Sequence, residues 1–183
     1  MSFSFPKESG KAAGYKPEQV DAFVELARQQ FNDTSLALVT ADQVRNTEFD
    51  FEPGGYIIGA VDTALDRLED SFAAREIAHQ KNTRGDAALD DRLSRVTEII
   101  KGRIERPKSK KFKSTGWLLR GYSRKQVDQL CEQIAFHLGS ATVLPLNVVR
   151  RSTFKVKRGG YVESQVDAFI DRVVELLQIE ANR

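Results

Sequence analysis

The chain has 183 residues, room for one ordinary domain or two small ones, and its 30% charged and 40% hydrophobic content is typical of a folded protein. The single Cys argues against a disulfide framework and a multi-cysteine metal site, and the two His argue against a histidine-based active site. The sequence shows no apolar run long enough to span a bilayer and no signal-peptide pattern. Residues 1–100 carry 11 basic and 18 acidic side chains, a net charge of −7, whereas residues 101–183 carry 17 and 8, a net charge of +9. We therefore expect a cytoplasmic protein that is not an enzyme, with no cofactor, no metal and no small-molecule substrate.

One motif, Gly-Tyr-x4-Val-Asp, occurs four times with identical internal spacing. In chain order it consists of Gly14, Tyr15, Val20 and Asp21; Gly55, Tyr56, Val61 and Asp62; Gly121, Tyr122, Val127 and Asp128; and Gly160, Tyr161, Val166 and Asp167. The first and third copies share a Phe nine residues before the Gly, and the second and fourth share a longer pattern, so the order is A-B-A-B. This repeat predicts a duplicated two-motif unit. We expect a first unit at 1–84, a helical spacer and basic linker at 85–108, and a second unit at 109–183.

Helical periodicity follows each motif. Apolar residues recur at three- and four-residue intervals after every Val-Asp pair, as in Val166, Phe169, Ile170 and Val173. We expect helices at about 17–31, 57–81, 86–105, 124–138 and 162–180, a helical turn near 41–45, a turn at 83–86, and short strands or loops at 35–40 and 141–144. The predicted fold class is mainly α, with two tandem units of short turns or loops plus amphipathic helices, joined by a helical spacer.

The four motif residues have structural roles in this prediction. The Gly suits a backbone position that a side chain would block, and the Tyr suits a packed anchor whose hydroxyl has a partner. The Asp lies in the first turns of a helix, where the helix dipole favours a negative charge. Because active sites are asymmetric and rarely repeat four times, we expect no catalytic role for these Asp residues.

Residues 39–72 and 143–177 resemble the N-terminal lipid-binding domain of DivIVA-type proteins. The shared pattern is an apolar segment, a Phe, a short loop, Gly-Tyr, and Val-Asp opening an amphipathic helix. The first and third motifs are partial matches, and the repeated arrangement resembles the actinobacterial subfamily with repeated DivIVA-like domains. The resemblance implies two DivIVA-like repeat units.

The resemblance also implies binding rather than catalysis. DivIVA proteins are cytoplasmic scaffolds on the inner face of the membrane at division septa and poles, and their dimers form through a coiled coil. In that family the loop between the Phe and the Gly-Tyr reaches the membrane, where an apolar side chain inserts and a basic one contacts lipid head groups. No long heptad region follows the last motif here, so we expect a compact bundle, which could form a homo-oligomer.

The fourth motif matches this loop best. The residues that the resemblance assigns to membrane or partner binding there are Arg150, Arg151, Lys155, Val156, Lys157 and Arg158. Val156 would be the inserted residue, and each cation near an anionic leaflet contributes about 1 kcal/mol.

The other copies differ at this loop. In the second copy Phe51 occupies the insertion position, but Asp50 and Glu52 flank it, so we expect the fold without the lipid contact. The third copy offers Trp117, Leu118, Leu119 and Arg120 as an apolar and basic loop. The favoured alternative is that Trp117 and Leu118 pack in the core.

Three functions are compatible with these residues. The first is an adaptor or scaffold of cell division or polar growth that binds the inner membrane surface or a division protein. The second is a protein-interaction module without lipid binding. The third is a nucleic-acid-associated regulator that uses the basic C-terminal half, although no helix-turn-helix or base-stacking aromatic accompanies it. The basic run 103–113 could bind phosphates of lipid or nucleic acid, although a solvated linker is the commoner role for such a run. We further expect Cys131 to be an inert buried thiol and His137 to be structural.

Overall fold

The computed structural model describes residues 4–33, 39–140 and 142–183. The chain divides into two compact units, Met1–Glu76 and Ile77–Arg183. Most of the described residues lie in helices, which confirms the mainly α fold. Within the described part, no helix combines the length and the apolarity needed to cross a bilayer.

Apart from two helical segments at the start of the second unit, the elements of the two units follow one order: short strand, long helix, short helix, short strand, long helix. The first unit contains β1 Ala13–Tyr15, α1 Pro17–Asn32, α2 Ala41–Arg45, β2 Phe51–Pro53 and the first part of α3 Ile58–Arg84. The second contains the end of α3, α4 Asp86–Ile104, β3 Arg120–Tyr122, α5 Arg124–Gly139, α6 Leu146–Arg150, β4 Val156–Arg158 and α7 Glu163–Asn182.

The predicted helices are confirmed to within about three residues at each end. Pro17 begins α1, because its ring pre-sets the first helical turn. A capping box between Thr40 and Gln43 explains why the five-residue α2 forms. Ser123 is the N-cap of α5, although its side chain makes no capping hydrogen bond. Gly85, at φ 79°, separates α3 from α4.

Three local predictions differ from the structure. The predicted turn at 83–86 is confined to Gly85, because α3 continues to Arg84. A short helix, α6, follows Pro145 and was not expected. Two strands contain the Gly-Tyr of the first and third motifs, and the other two lie in the loops before the second and fourth motifs. Residues 39–40 and 142–144 are in no strand. The predicted alternatives at 35–38 and 141 lie outside the described residues.

Each unit has its own buried core, and the Val of every motif lies in it. Val20, Val61, Val127 and Val166 are fully buried or nearly so. In the second unit α4 packs against α7 and α5. Residues 85–108, expected to form a spacer, therefore contribute a helix to the second unit, with Val96 and Ile100 in its core.

Candidate functional site

The two motifs of each unit form one antiparallel sheet. In the first unit Gly14 lies opposite Glu52, and Tyr15 also bridges to Tyr56. The second unit repeats this arrangement with Gly121 opposite Lys157 and Tyr122 bridged to Tyr161.

The motif glycines are required because the two motifs of a unit touch through their backbones. A Cβ on Gly14 would lie 2.4 Å from the carbonyl oxygen of Tyr56, and a Cβ on Gly55 would lie 2.5 Å from that of Tyr15. A Cβ on Gly121 would approach the Tyr161 oxygen to 2.1 Å. No side chain fits at these distances, so the requirement is steric rather than a matter of positive φ.

The tyrosines and aspartates are exchanged between the two motifs of a unit. Tyr56 donates its hydroxyl hydrogen to Asp21, at 3.1 Å from Oδ1, and Tyr161 donates to Asp128 Oδ1 at 2.8 Å. The reverse pairs are Tyr15 with Asp62 and Tyr122 with Asp167. Each Tyr therefore bonds to the Asp of the other motif, never to its own.

This exchange explains why each motif contains both a Tyr and an Asp, and it keeps the tyrosine hydroxyls neutral. Burial and then the hydrogen bond to Asp128 raise the pKa of Tyr161 well above its ordinary value. Burial and then the Asp167 carboxylate raise the pKa of Tyr122. We call the paired glycines, tyrosines and aspartates of one unit its frame. The frame holds the two loops beside each sheet in place.

The sheet of the second unit ends in an exposed surface, which we call the second tip: residues 115–120 and 155–158. Trp117, Leu118 and Leu119 are 79%, 69% and 65% exposed, and Val156 lies on the adjacent strand at 49%. Gly159 donates its N–H to the Leu119 oxygen at 2.9 Å, which holds the two segments side by side. The alternative that Trp117 and Leu118 pack in the core is wrong, because the loop projects beyond the last paired residues of the sheet.

Four cations lie on or next to the two strands that border this loop. Arg120, Lys155, Lys157 and Arg158 are all exposed, and none of them forms an ion pair within the described residues. The backbone N–H of Lys155 is held by Gln126 at 2.8 Å, so the strand is fixed while the charged ends face solvent. The second tip thus combines a protruding apolar loop with uncompensated positive charge.

The two upstream arginines differ from these cations. Arg150 is the last residue of α6 and is only partly exposed, with guanidinium nitrogens that are buried. Arg151 is the C-cap of α6 and is exposed. Arg150 therefore lies in a packed position, unlike the exposed side chains of β4.

The corresponding surface of the first unit, the first tip, comprises residues 8–13 and 50–53. Phe51 is 62% exposed and stacks on Tyr15 at 5.3 Å between ring centroids. Its neighbours are Asp50 and Glu52, and the opposing loop holds the small residues Ala12 and Ala13. The two tips share one backbone arrangement but differ in charge and apolar bulk.

The basic run at 103–113 is partly built into the second unit. Lys111 is only 6% exposed, and its ammonium donates to the carbonyl oxygens of Ile104 and Arg106 at the end of α4. Arg103 lies over the Phe112 ring at 5.1 Å. Lys108 pairs with Glu132 at 2.7 Å. The expectation of a simple solvated linker is wrong for Lys111 and Arg103.

One apolar feature was not predicted from the sequence. A groove of about 760 Å³ between α5 and α6 is lined by Phe136, Val143 and Val148 among others. Phe136 and Val143 are exposed. The groove was missed because helical periodicity places Phe136 off the core face but does not show that it lines a groove.

The remaining chemistry-bearing residues are structural. Burial raises the pKa of Cys131 to about 12, so the thiol is unreactive near neutral pH. The His137 ring lies between two partners, with Nε2 at 2.9 Å from Glu180 Oε2 and Nδ1 at 2.8 Å from the Thr142 carbonyl oxygen. His79 is an exposed residue of α3. The described ranges contain no group of three or more His, Cys, Asp or Glu that could hold a metal ion.

Comparison with known proteins gave no match: no family model fits the chain, and neither a curated protein nor a solved structure matches it. The function is therefore inferred from the tips, the frame and the sequence motifs.

Proposed function

We propose that this protein is a non-enzymatic adaptor or scaffold that binds an anionic membrane surface through the second tip. The observation that carries the proposal is the exposure of Trp117, Leu118 and Leu119 beside cations that have no ionic partner in the described part of the chain. Large exposed apolar groups cost solvation free energy in water, and clusters of them mark interaction surfaces.

A lipid interface fits both parts of this surface. Trp and Leu side chains gain free energy by entering the boundary between head groups and acyl chains. Arg120, Lys155, Lys157 and Arg158 would then lie at the level of the head groups, where each contributes about 1 kcal/mol on an anionic leaflet. One loop and four cations give weak, reversible attachment, which suits a peripheral protein.

The place in the cell follows from the motif resemblance. The Phe, Gly-Tyr and Val-Asp pattern resembles DivIVA-type domains, which supports a role in cell division or polar growth on the inner membrane face at a septum or pole. The exposed loop just before Gly121 and Tyr122 corresponds to the loop that contacts lipid in the DivIVA-type pattern, which supports this proposal.

The test is flotation of the purified protein with vesicles of neutral lipid and of neutral lipid mixed with phosphatidylglycerol. Two tip variants separate the two contributions. One replaces Trp117, Leu118 and Leu119 with Ser, and the other is K155E/K157E/R158E. We expect the wild type to float with anionic vesicles only, and both variants to remain at the bottom of the gradient.

The matched control is F136S/V143S, which removes two exposed apolar side chains of the same unit away from the tip. It should float like the wild type. A wild type that binds no anionic vesicle, or a serine tip variant that still floats, would overturn the membrane proposal.

A second function is supported by the groove between α5 and α6. Its apolar wall, with Phe136 and Val143 exposed, would suit a segment of a protein partner, as in a pure protein-interaction module. Crosslinking in cells, with F136S/V143S compared with the serine tip variant, distinguishes the two functions. Loss of crosslinked partners from F136S/V143S, with flotation unchanged, would assign protein binding to the groove.

A further inference from the structure

Two arginines of the second tip lie directly opposite each other across the sheet. Arg120 of β3 pairs in register with Arg158 of β4. Backbone hydrogen bonds run from the Gly159 N–H to the Leu119 oxygen and from the Ser123 N–H to the Lys155 oxygen, in pairs that lie one and three positions from Arg120 and Arg158. Because the two kinds of pair alternate along an antiparallel ladder, Arg120 and Arg158 occupy a non-hydrogen-bonded pair, in which the Cα atoms approach to about 4.5 Å.

This placement is unfavourable unless something compensates it. Like charges directly opposite on one face of a sheet destabilise the pair. Both arginines are exposed, and no carboxylate pairs with either one in the described part of the chain. In the first unit the same register position holds Ala13 and Pro53, so the frame itself does not require charge there.

We infer that Arg120 and Arg158 together form a binding site for a phosphomonoester group. This inference rests on the proposed function for its lipid form, in which the group is a phosphomonoester head group such as that of phosphatidic acid.

The preference follows from geometry and charge. A guanidinium presents parallel N–H donors that match two phosphate oxygens, and two guanidiniums on one sheet face can each take a pair. A phosphomonoester carries a charge of about −1.5 to −2 near pH 7, which neutralises both arginines. A phosphodiester head group, with one negative charge, leaves the pair half neutralised. The site should therefore distinguish the two head groups at equal surface charge.

The experiment uses three sets of vesicles: neutral lipid, neutral lipid with phosphatidylglycerol, and neutral lipid with phosphatidic acid at matched surface charge. We expect the wild type to bind the phosphatidic acid vesicles about tenfold more tightly than the phosphatidylglycerol vesicles, the ratio that one additional charge-assisted hydrogen bond supplies. R120Q/R158Q should lose this ratio and bind the two anionic vesicles equally.

The charge-matched control is K101Q/K125Q, which removes two exposed cations of the same unit outside the sheet. It should keep the tenfold ratio. At low salt R120Q/R158Q should be at least as stable to heat as the wild type, because the substitution removes a repulsion rather than a fold contact. Equal binding of the two anionic vesicles by the wild type, or an unchanged ratio in R120Q/R158Q, would overturn the inference.

A soluble arm separates the site from the membrane. Glycerol 3-phosphate should raise the thermal midpoint of the wild type and of K101Q/K125Q but not that of R120Q/R158Q. If the wild type binds no vesicle and yet shows this shift, the membrane proposal fails while the phosphomonoester site stands, with a free phosphate compound as its ligand. If neither vesicle binding nor the shift occurs, both fail.

Discussion

The Tyr161 hydroxyl donates to Asp128 Oδ1 at 2.8 Å across 33 residues of chain, and it simultaneously accepts the Lys111 backbone N–H at 3.1 Å. Asp128 uses its other oxygen to accept the Ser109 N–H at 2.7 Å. These contacts connect the fourth motif, the third motif and the segment that follows α4. They explain why a Tyr and an Asp at these positions matter for the fold.

Replacing Tyr161 with Phe should lower the free energy of unfolding by about 1–3 kcal/mol, because the Lys111 N–H and one Asp128 oxygen stay buried without their partner. Urea denaturation followed by circular dichroism measures this. The control is Tyr122→Phe, whose ring is only half-buried and should cost less. Equal losses in the two variants would contradict the special position of Tyr161.

Replacing Gly121 with Ala should prevent the second unit from folding or destabilise it severely, because the new Cβ would lie 2.1 Å from the Tyr161 carbonyl oxygen. Gly102 within α4 is the matched control, since a Cβ there meets no atom within 4 Å. Gly102→Ala should raise stability by up to about 1 kcal/mol, because Ala has the higher helix propensity. Thermal melts of the two variants provide the comparison, and a well-folded Gly121→Ala protein would refute the close backbone contact.

The free energy of unfolding should depend on pH through Glu175, which pairs with Arg92 and Arg172. Burial alone would raise the pKa of Glu175, but hydrogen bonds from Arg172 and Arg92 outweigh it and hold that pKa below its usual range. A carboxyl group whose pKa is lowered by folding stabilises the protein above its unfolded pKa, and the contribution is lost as pH falls through the folded pKa. Glu175→Gln should therefore be less stable than the wild type at pH 7.

The measurement is the free energy of unfolding of both proteins at pH 7 and at pH 3. The difference between them should shrink towards pH 3, where the wild-type carboxyl is increasingly protonated. Glu163→Gln, at an exposed position of the same helix, is the control and should change little at either pH. A stability difference that grows on acidification would show that folding raises the pKa of Glu175 instead of lowering it.

Cys131 should report global unfolding of the second unit. Cys131 is about 1% exposed and burial raises the pKa of its thiol to about 12, so both access and ionisation oppose reaction. A thiol reagent at pH 8 should label the native protein very slowly, and labelling should rise with urea in parallel with the loss of helix. Rapid labelling of the native state would show that α5 opens locally.

The helices could be predicted because their signals are local. Apolar residues at three- and four-residue intervals, with Pro17 at the start of α1, define α1 within the sequence itself. The short α6 was missed because five residues contain too little periodicity.

The strands and the frame could not be predicted from one motif alone. Three-residue strands show no alternation, and each is paired with a segment more than 30 residues away. The repeat revealed that Tyr and Asp recur, but not that Tyr15 bonds Asp62 rather than its own Asp21. Similarly, Trp117 and Leu118 resemble core residues in sequence, and their exposure follows from where the loop leaves the sheet.

The separation between frame and tip has a consequence for variation. The frame bonds come from the glycine backbones and the Tyr–Asp pairs, whereas the side chains of Trp117, Leu118 and Lys157 make no hydrogen bond or ion pair within the described residues. The first unit shows that the same backbone arrangement accepts Phe51, Glu52 and Ala12 in the corresponding segments. The unit is thus a natural host for grafted recognition loops, in which ligand preference can be rewritten at the tip while the stability of the host is left intact.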